Sequence, residues 1–190
     1  MKKLMLLAAL LAAAPTLAQD AKQKVIAAAL DQVGRTRYYD SSYRQLAYPN
    51  GDVPIERGVC SDVVIRAFRA AGLDLQVLVH EDMVRNFAAY PHKWRLTRPD
   101  KNIDHRRVPN LATFFTRRGK AREVTRRGAD YIPGDIVTWD LGGGVPHIGI
   151  VSDRRAAGSD RYLVVHNIGS GAQAEDVLFS WQLTGHFRYF

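Results

Sequence analysis

The chain has 190 residues, of which 46% are hydrophobic and 24% are charged, and these values are typical of one globular domain with a sizeable core. Its 27 Lys and Arg residues against 19 Asp and Glu residues give a net charge of +8, which suits an anionic partner such as a bacterial envelope or a nucleic acid. The arginines are dispersed as pairs, without a basic block interleaved with aromatic residues, so we expect no nucleic-acid partner.

The first 18 residues have the pattern of a secretory signal peptide. Lys2 and Lys3 precede an apolar run over residues 4–14, and small residues around Ala18 follow that run. The run is short for a membrane span, and no second apolar segment of the sequence approaches that length. We therefore expect a cleaved signal peptide over 1–18, a single domain over 19–190, no stable membrane insertion after cleavage, and a periplasmic or secreted protein.

Apolar residues at helical spacing predict four helices in the first two thirds of the chain. The predicted helices cover about 25–33, 60–71, 74–89 and 110–118, and the last of them is expected to open after Pro109. Residues 35–59 are instead rich in Tyr, Pro, Gly and Asp, which predicts turns. An aperiodic stretch of this length is more often functional than a plain connection.

The last third of the chain predicts strands that are joined by short loops. The predicted strands cover residues 136–139, 147–151, 162–168 and 185–190. Short connections between strands indicate an antiparallel sheet. Helices first and a meander of strands second indicate an α+β fold.

Cys60 is the single cysteine of the chain. Exported proteins meet oxidising conditions in which cysteines are usually paired, and one cysteine cannot pair within its own chain. At the start of a predicted helix its thiolate would be favoured by the helix dipole, although the negative charge of Asp62 in the same turn would oppose this effect. We interpret Cys60 as a catalytic nucleophile, and a small buried hydrophobic residue is the alternative interpretation.

A cysteine nucleophile needs a base that accepts its proton and a third group that orients the base. Among the six histidines, His147 opens one predicted strand and His166 ends the next. If these strands pair as a hairpin, His147 comes opposite His166 or Asn167, depending on the register, and either side chain could orient its ring. A metal site built on Cys and His would need a further convergent ligand, so we predict no metal and no cofactor.

A compact polar run precedes the last predicted helix. It comprises Asp104, His105, Arg106 and Arg107, and it could line a cleft that binds a substrate carboxylate. With Asp62, these residues form the predicted substrate-binding set. The alternatives are a solvated loop and a loop that is braced by internal ion pairs.

Three segments resemble the NlpC-like cell-wall cysteine peptidases, which are distant relatives of papain. They are residues 58–62 around the cysteine, residues 133–139 with a Pro-Gly-Asp strand, and residues 146–151 with a His-Ile-Gly-Ile strand. The chain departs from the usual Asp-Cys-Ser-Gly pattern at Val59 and Asp62. It is still more similar to an exported bacterial family of unknown function in that superfamily, in segments 79–83, 102–110 and 184–189.

The resemblance implies a papain-like, NlpC-like α+β fold, in which helices pack on a small antiparallel sheet and the nucleophile opens a helix. It implies a hydrolase that cleaves amide bonds in peptidoglycan stem peptides, with Cys60 as nucleophile, His147 as base and His166 or Asn167 as the orienting group. Segment 73–127 has no equivalent in that superfamily, and we expect it to be a helical insertion that shapes the cleft. A non-catalytic envelope-binding module, and an amidase or acyltransferase that acts on another substrate, are the alternatives.

Overall fold

The structure is a computed structural model that describes residues 16–93 and 96–190. Within these ranges the helices are α1 (Leu17–Asp31), α2 (Cys60–Ala70), α3 (Leu75–Asn86) and α4 (Val108–Arg117). The strands are β1 (Tyr38–Tyr39), β2 (Arg57–Gly58), β3 (Ala121–Arg122), β4 (Ile136–Asp140), β5 (Pro146–Arg155), β6 (Tyr162–Asn167), β7 (Ala172–Glu175) and β8 (Gln182–Phe187). The α+β class that the sequence predicts is therefore confirmed.

Strands β3 to β8 form one antiparallel sheet in the order β3-β8-β4-β5-β6-β7. Strands β4 to β7 are neighbours in the order in which they occur along the chain, as short connections favour. The last strand, β8, returns to the other side of β4. Strands β1 and β2 form a separate parallel pair, which places the residues directly before α2 against the tyrosine-rich stretch.

The sheet carries an apolar core on each face, because successive side chains of a strand point to opposite sides. Ile136, Ile148, Ile150 and Val165 belong to the core that the sheet shares with the helices. The most deeply buried helix is α2, in which residues from Cys60 to Phe68 are all buried. The core on the other face is built by Tyr131, Val137, Trp139, Val151, Val164 and Leu178.

Helix α4 begins at Val108, two residues before the predicted start. Pro109 therefore lies inside its first turn rather than before the helix. Proline is tolerated at this position because the N–H that it lacks would have no partner within the helix. The prediction that the helix opens after Pro109 is wrong for this reason, whereas the existence of the helix is confirmed.

Four strands are not predicted by the sequence, and the boundaries of the last strand differ. Strand β7 reads Ala-Gln-Ala-Glu, a composition with low strand propensity, and it forms because it pairs with β6 at the edge of the sheet. The two-residue strands β1, β2 and β3 are too short to give a periodic pattern. Strand β8 covers Gln182–Phe187 rather than 185–190, and β3 joins the predicted helical segment 73–127 to it.

The predicted signal peptide lies almost entirely outside the described residues, which begin at residue 16. Helix α1 starts at Leu17, and the Thr16 hydroxyl caps it by accepting a hydrogen bond from the Gln19 N–H at 3.3 Å. Among the residues that the structure describes, no helix combines the length and the apolar character that crossing a membrane requires.

Candidate active site

Cys60 is the first residue of α2, and it is 4% exposed. The turn before it is tight: a Cβ atom at Gly58 would lie only 3.0 Å from the Asp62 carboxylate, which explains the glycine. Asp62 lies in the first turn of α2 and accepts a hydrogen bond from the Val59 N–H at 2.7 Å. This carboxylate therefore caps the helix end that carries the thiol.

Asp62 is at the same time the partner of Arg106. The guanidinium donates from Nε to Oδ1 and from Nη2 to Oδ2, both at 2.9 Å. It also donates to the carbonyl oxygens of Ser42 and Asp40, and its side chain is 2% exposed. The Asp62 carboxylate, whose charge the sequence predicts to oppose thiolate formation, is thus paired with a buried guanidinium.

Burial raises the pKa of the Cys60 thiol to about 12, and the Asp62 charge contributes to the increase. Hydrogen bonds to the sulfur from the backbone of Ile148, Ser61 and Cys60 itself act in the opposite direction. Burial is the largest of these effects, so the thiol is protonated in the resting protein. The helix dipole favours a thiolate and would lower the thiol pKa, but the increase caused by burial is larger.

Cys60 and Ile148 belong to the same core cluster, and the Ile148 backbone acts on the thiol pKa, so the sulfur lies near the start of β5, where Ile148 follows His147 along the chain. The ladder between β5 and β6 begins only at the pair Ile150 and Val165. Ile148 precedes the part of β5 that pairs with β6. Its N–H therefore donates no ladder hydrogen bond to β6 and is available to the thiol.

His147 and His166 form a hydrogen-bonded pair. The Nε2 atom of His147 lies 2.9 Å from Nδ1 of His166, and Nε2 of His166 lies 2.9 Å from Oε2 of Glu175. The two histidines are 2% and 0% exposed, whereas the Glu175 side chain is 47% exposed. A series of three side chains therefore runs from His147 on β5 through His166 to Glu175 at the edge of the sheet.

The register of β5 and β6 explains why His166, rather than Asn167, meets His147. Ile150 pairs with Val165, so the same register places Gly149 opposite His166. His147 lies two residues from Gly149 along β5, and its side chain is therefore on the same face of the sheet as His166. Asn167 faces the other side, where its Nδ2 donates to the Gly58 carbonyl at 3.0 Å. It thus holds the turn before Cys60.

Gly149 allows the close approach of β6. A Cβ atom at this position would lie 2.9 Å from the Val165 carbonyl oxygen and 3.2 Å from Cβ of His166. Both contacts are tighter than van der Waals packing permits without a shift of the backbone. The glycine of the His-Ile-Gly-Ile segment is therefore needed for the His147–His166 contact.

Two tryptophans enclose the histidine pair. The Trp139 ring stacks on His147 with centroids 5.5 Å apart and an interplanar angle of 28°, and Trp181 contacts the edges of His147 and His166. Burial in this environment lowers the pKa of His147 to about 3, and the neighbouring His166 adds to the decrease. Burial also lowers the pKa of His166, although Glu175 opposes this effect. Both rings are therefore neutral near pH 7.

A cavity of about 440 Å³ opens beside Cys60. Three segments line it: the tyrosine-rich stretch with Tyr39 and Tyr43, the segment before α4 with Arg107, and the turn before β5 with Val145. Burial raises the pKa of Tyr39 to about 12, and the Cys60 charge contributes, so this hydroxyl lies near the thiol and stays protonated. The aperiodic stretch over 35–59 therefore supplies one wall of this cavity.

The predicted substrate-binding residues divide into two groups. Arg106 and Arg107 line the cavity, but Asp62 does not, and Asp104 and His105, which are 0% and 1% exposed, do not either. Asp104 instead accepts hydrogen bonds from His80 and from the Asp100 N–H. The prediction that Asp104 and His105 line the cleft is therefore wrong for this structure, because the polar run folds inward as a single 3₁₀ turn.

The sequence does not predict two contacts of the histidine pair, Glu175 and Trp181. Glu175 lies on β7, a strand without a sequence signal, and Trp181 lies directly before β8, in a segment without a prediction. The spacing of nine residues between His166 and Glu175 carries no information until the two strands are known to pair.

Known proteins provide a comparison for the whole site. A family model described as "Domain of unknown function (DUF1287)" matches residues 26–189, a range that includes the cysteine, both histidines and Glu175. The chain is also 61% identical over 162 residues to a protein of Escherichia coli (strain K12) that bears the name "Uncharacterized protein YijF". This similarity covers 85% of the chain and 78% of the relative. From the family match and this relative together, we conclude that the chain belongs to the DUF1287 family.

Proposed function

We propose that this protein is an exported cysteine hydrolase that cleaves amide bonds in peptidoglycan stem peptides. The observation that carries the proposal is the position of Cys60 at the start of α2, on the wall of the cavity, together with the hydrogen-bonded pair of His147 and His166 on the strands against which α2 packs. A thiol at a helix N-terminus, a neutral imidazole on the neighbouring strand β5 and a third group on that imidazole are the parts that nucleophilic catalysis by cysteine requires.

We infer a papain-like, NlpC-like arrangement, in which the nucleophile opens α2 and the base and its partner lie on β5 and β6. The chain order of cysteine, histidine and polar partner supports this assignment. The signal-like N-terminus and the net charge of +8 support an anionic substrate in the bacterial envelope.

Proton transfer accompanies the nucleophilic attack, because thiol and imidazole are both neutral at rest. The Cys60 sulfur forms a bond to the amide carbonyl carbon while its proton passes to His147. The carbonyl oxygen becomes negative and accepts hydrogen bonds from the Cys60 N–H and from the protonated Tyr39 hydroxyl. His147 then gives the proton to the leaving amine as the carbon–nitrogen bond breaks.

A thioester on Cys60 remains after the amine departs. His147 removes a proton from a water molecule, the hydroxide oxygen attacks the thioester carbonyl, and the sulfur leaves with the proton returned by His147. The stacked Trp139 ring and the His166 ring stabilise the imidazolium that forms in both halves of the reaction. Arg107 binds a substrate carboxylate, since it lines the cavity beside Cys60.

Digestion of purified peptidoglycan, with mass spectrometry of the released peptides, tests the proposal. Cys60→Ala should release nothing, His147→Ala should slow release on the order of ten-thousand-fold, and His166→Ala should slow it less because it orients the base. The exposed His92 serves as the control, and His92→Ala should be as active as the wild type. Near-normal activity of a folded Cys60→Ala variant would end the proposal.

A non-catalytic envelope-binding module is the second candidate, favoured by the burial of Cys60 to 4% exposure and by its raised thiol pKa. Sedimentation with insoluble peptidoglycan separates the two. A binding module should sediment equally as wild type and as Cys60→Ala, and neither form should release peptides. An amidase or acyltransferase for another substrate would also leave peptidoglycan intact, but an activated ester would acylate Cys60, which intact-protein mass spectrometry detects.

A further inference from the structure

We propose that Glu175 is a positioning residue that fixes the protons on His166 and His147 and thereby makes Nδ1 of His147 the basic nitrogen. The proton arrangement is a property of the resting protein. Its consequence for the reaction rests on the proposed function.

Glu175 determines which nitrogen of His166 carries the proton. A carboxylate can only accept a hydrogen bond, so the contact of 2.9 Å between Oε2 of Glu175 and Nε2 of His166 requires a proton on this Nε2. The ring is fully buried, and burial keeps it neutral, with one proton in total. Its Nδ1 is therefore without a proton and can only accept.

His166 in turn determines which nitrogen of His147 carries the proton. Since Nδ1 of His166 can only accept, Nε2 of His147 must donate across the distance of 2.9 Å that joins them. His147 is also neutral, so its single proton is on Nε2 and its Nδ1 carries the free lone pair. Without Glu175, the hydrogen-bond donor and acceptor could equally be exchanged, with His166 donating from Nδ1 to Nε2 of His147. The proton of His147 would then be on Nδ1, and this nitrogen could no longer act as the base.

The position of Glu175 suits this task. Its cross-strand partner is Val164, two residues from His166 on the same face of the sheet, so its carboxylate reaches the ring diagonally. β7 is the edge strand and Glu175 is half exposed, so a substitution here removes little packing. Gln173 is the direct cross-strand partner of His166 but donates to the Ser170 carbonyl, which makes it a matched control.

Long-range ¹H–¹⁵N spectra of the histidine rings at pH 7 test the proposal on the resting protein. The wild type and Gln173→Ala should show both His147 and His166 protonated at Nε2 and bare at Nδ1. Glu175→Ala should show a mixture of the two arrangements, and Glu175→Lys, whose ammonium can only donate, should shift the series toward the opposite one. A proton on Nδ1 of His147 in the wild type, or unchanged spectra in Glu175→Ala, would overturn the proposal.

Activity provides a second measurement that a merely structural residue would not alter in the same way. Glu175→Ala should lower kcat about ten- to a hundredfold, as the loss of a group that orients a functional histidine does, with KM unchanged. Equal losses of kcat in Glu175→Ala and Gln173→Ala would contradict a positioning role. If the wild type has the stated proton arrangement but hydrolyses no amide, the proposed function fails and the proton arrangement stands.

Discussion

Asp62, in the first turn of the helix that carries Cys60, forms a bidentate ion pair with Arg106. Both nitrogen–oxygen distances are 2.9 Å, and the side chains are 4% and 2% exposed. Arg106 also donates to two carbonyls of the tyrosine-rich stretch. The pair therefore joins the helix N-terminus to one wall of the cavity, which is the internal bracing that the sequence argument held as an alternative to substrate binding.

Arg106→Ala should lower the free energy of unfolding by about 3–5 kcal/mol, because it leaves the buried Asp62 charge without its partner. Urea denaturation measures the loss. Arg106→Lys should rescue little of it, since an ammonium cannot form two parallel hydrogen bonds. Arg44, whose ion pair with Asp40 is half exposed, is the control, and Arg44→Ala should change stability by about 0.5 kcal/mol or less. Equal effects of the two alanine variants would show that Arg106 does not brace the site.

Gly149→Ala should destabilise the protein by about 1–3 kcal/mol, because the added methyl group has to push β6 away. The same shift should separate His166 from His147 and reduce activity by more than the stability loss explains. Ile150→Val on the same strand is the control: it should cost about 0.5–1.5 kcal/mol and leave turnover unchanged. Wild-type turnover in Gly149→Ala would show that the close approach of β6 is not needed.

The protein should lose stability as the pH falls from 6.5 toward 3. Burial lowers the pKa of His105 and of His147 to about 3, whereas a histidine of the unfolded chain titrates near 6.5. Below pH 6.5 the unfolded state therefore binds protons that the native state does not, so stability rises with pH across this window. Each such histidine contributes a slope of about 1.4 kcal/mol per pH unit.

Urea midpoints at pH values between 4.5 and 7 measure this slope, and His105→Gln should reduce it by the contribution of one histidine. A stability that is flat over this range in the wild type would contradict the buried, neutral histidines.

Cys60 in the resting protein should react slowly with iodoacetamide at pH 8. A thiol pKa of about 12 leaves far less thiolate than the value of about 8.5 for an unfolded chain, so alkylation should be on the order of a thousandfold slower than in urea. The rate should rise with each pH unit up to about 12. Alkylation that is faster in the native protein than in urea would indicate a thiolate–imidazolium pair at rest.

The sequence predicts those parts of the site that local patterns determine. The start of α2 at Cys60 follows from apolar spacing, and His147 and His166 stand out at strand ends. The choice between His166 and Asn167 depends on strand register, which the pairing of Ile150 with Val165 decides and no local pattern encodes. The sequence leaves the role of Arg106 open between substrate binding and internal bracing, because its ion-pair partner lies 44 residues away. Glu175 lies on a strand that only pairing stabilises, so no local pattern predicts its contact with His166.

Digestion of peptidoglycan in water enriched in ¹⁸O tests most directly whether Cys60 is the nucleophile of an amide hydrolase. With the wild type, the released peptides should carry a single ¹⁸O atom in the newly formed carboxylate, as the hydrolysis of a thioester requires, and a new amine should appear in equal amount. With Cys60→Ala, neither product should form. Release of the same labelled peptides by the folded Cys60→Ala variant, or no labelled peptide from the wild type, would contradict the account.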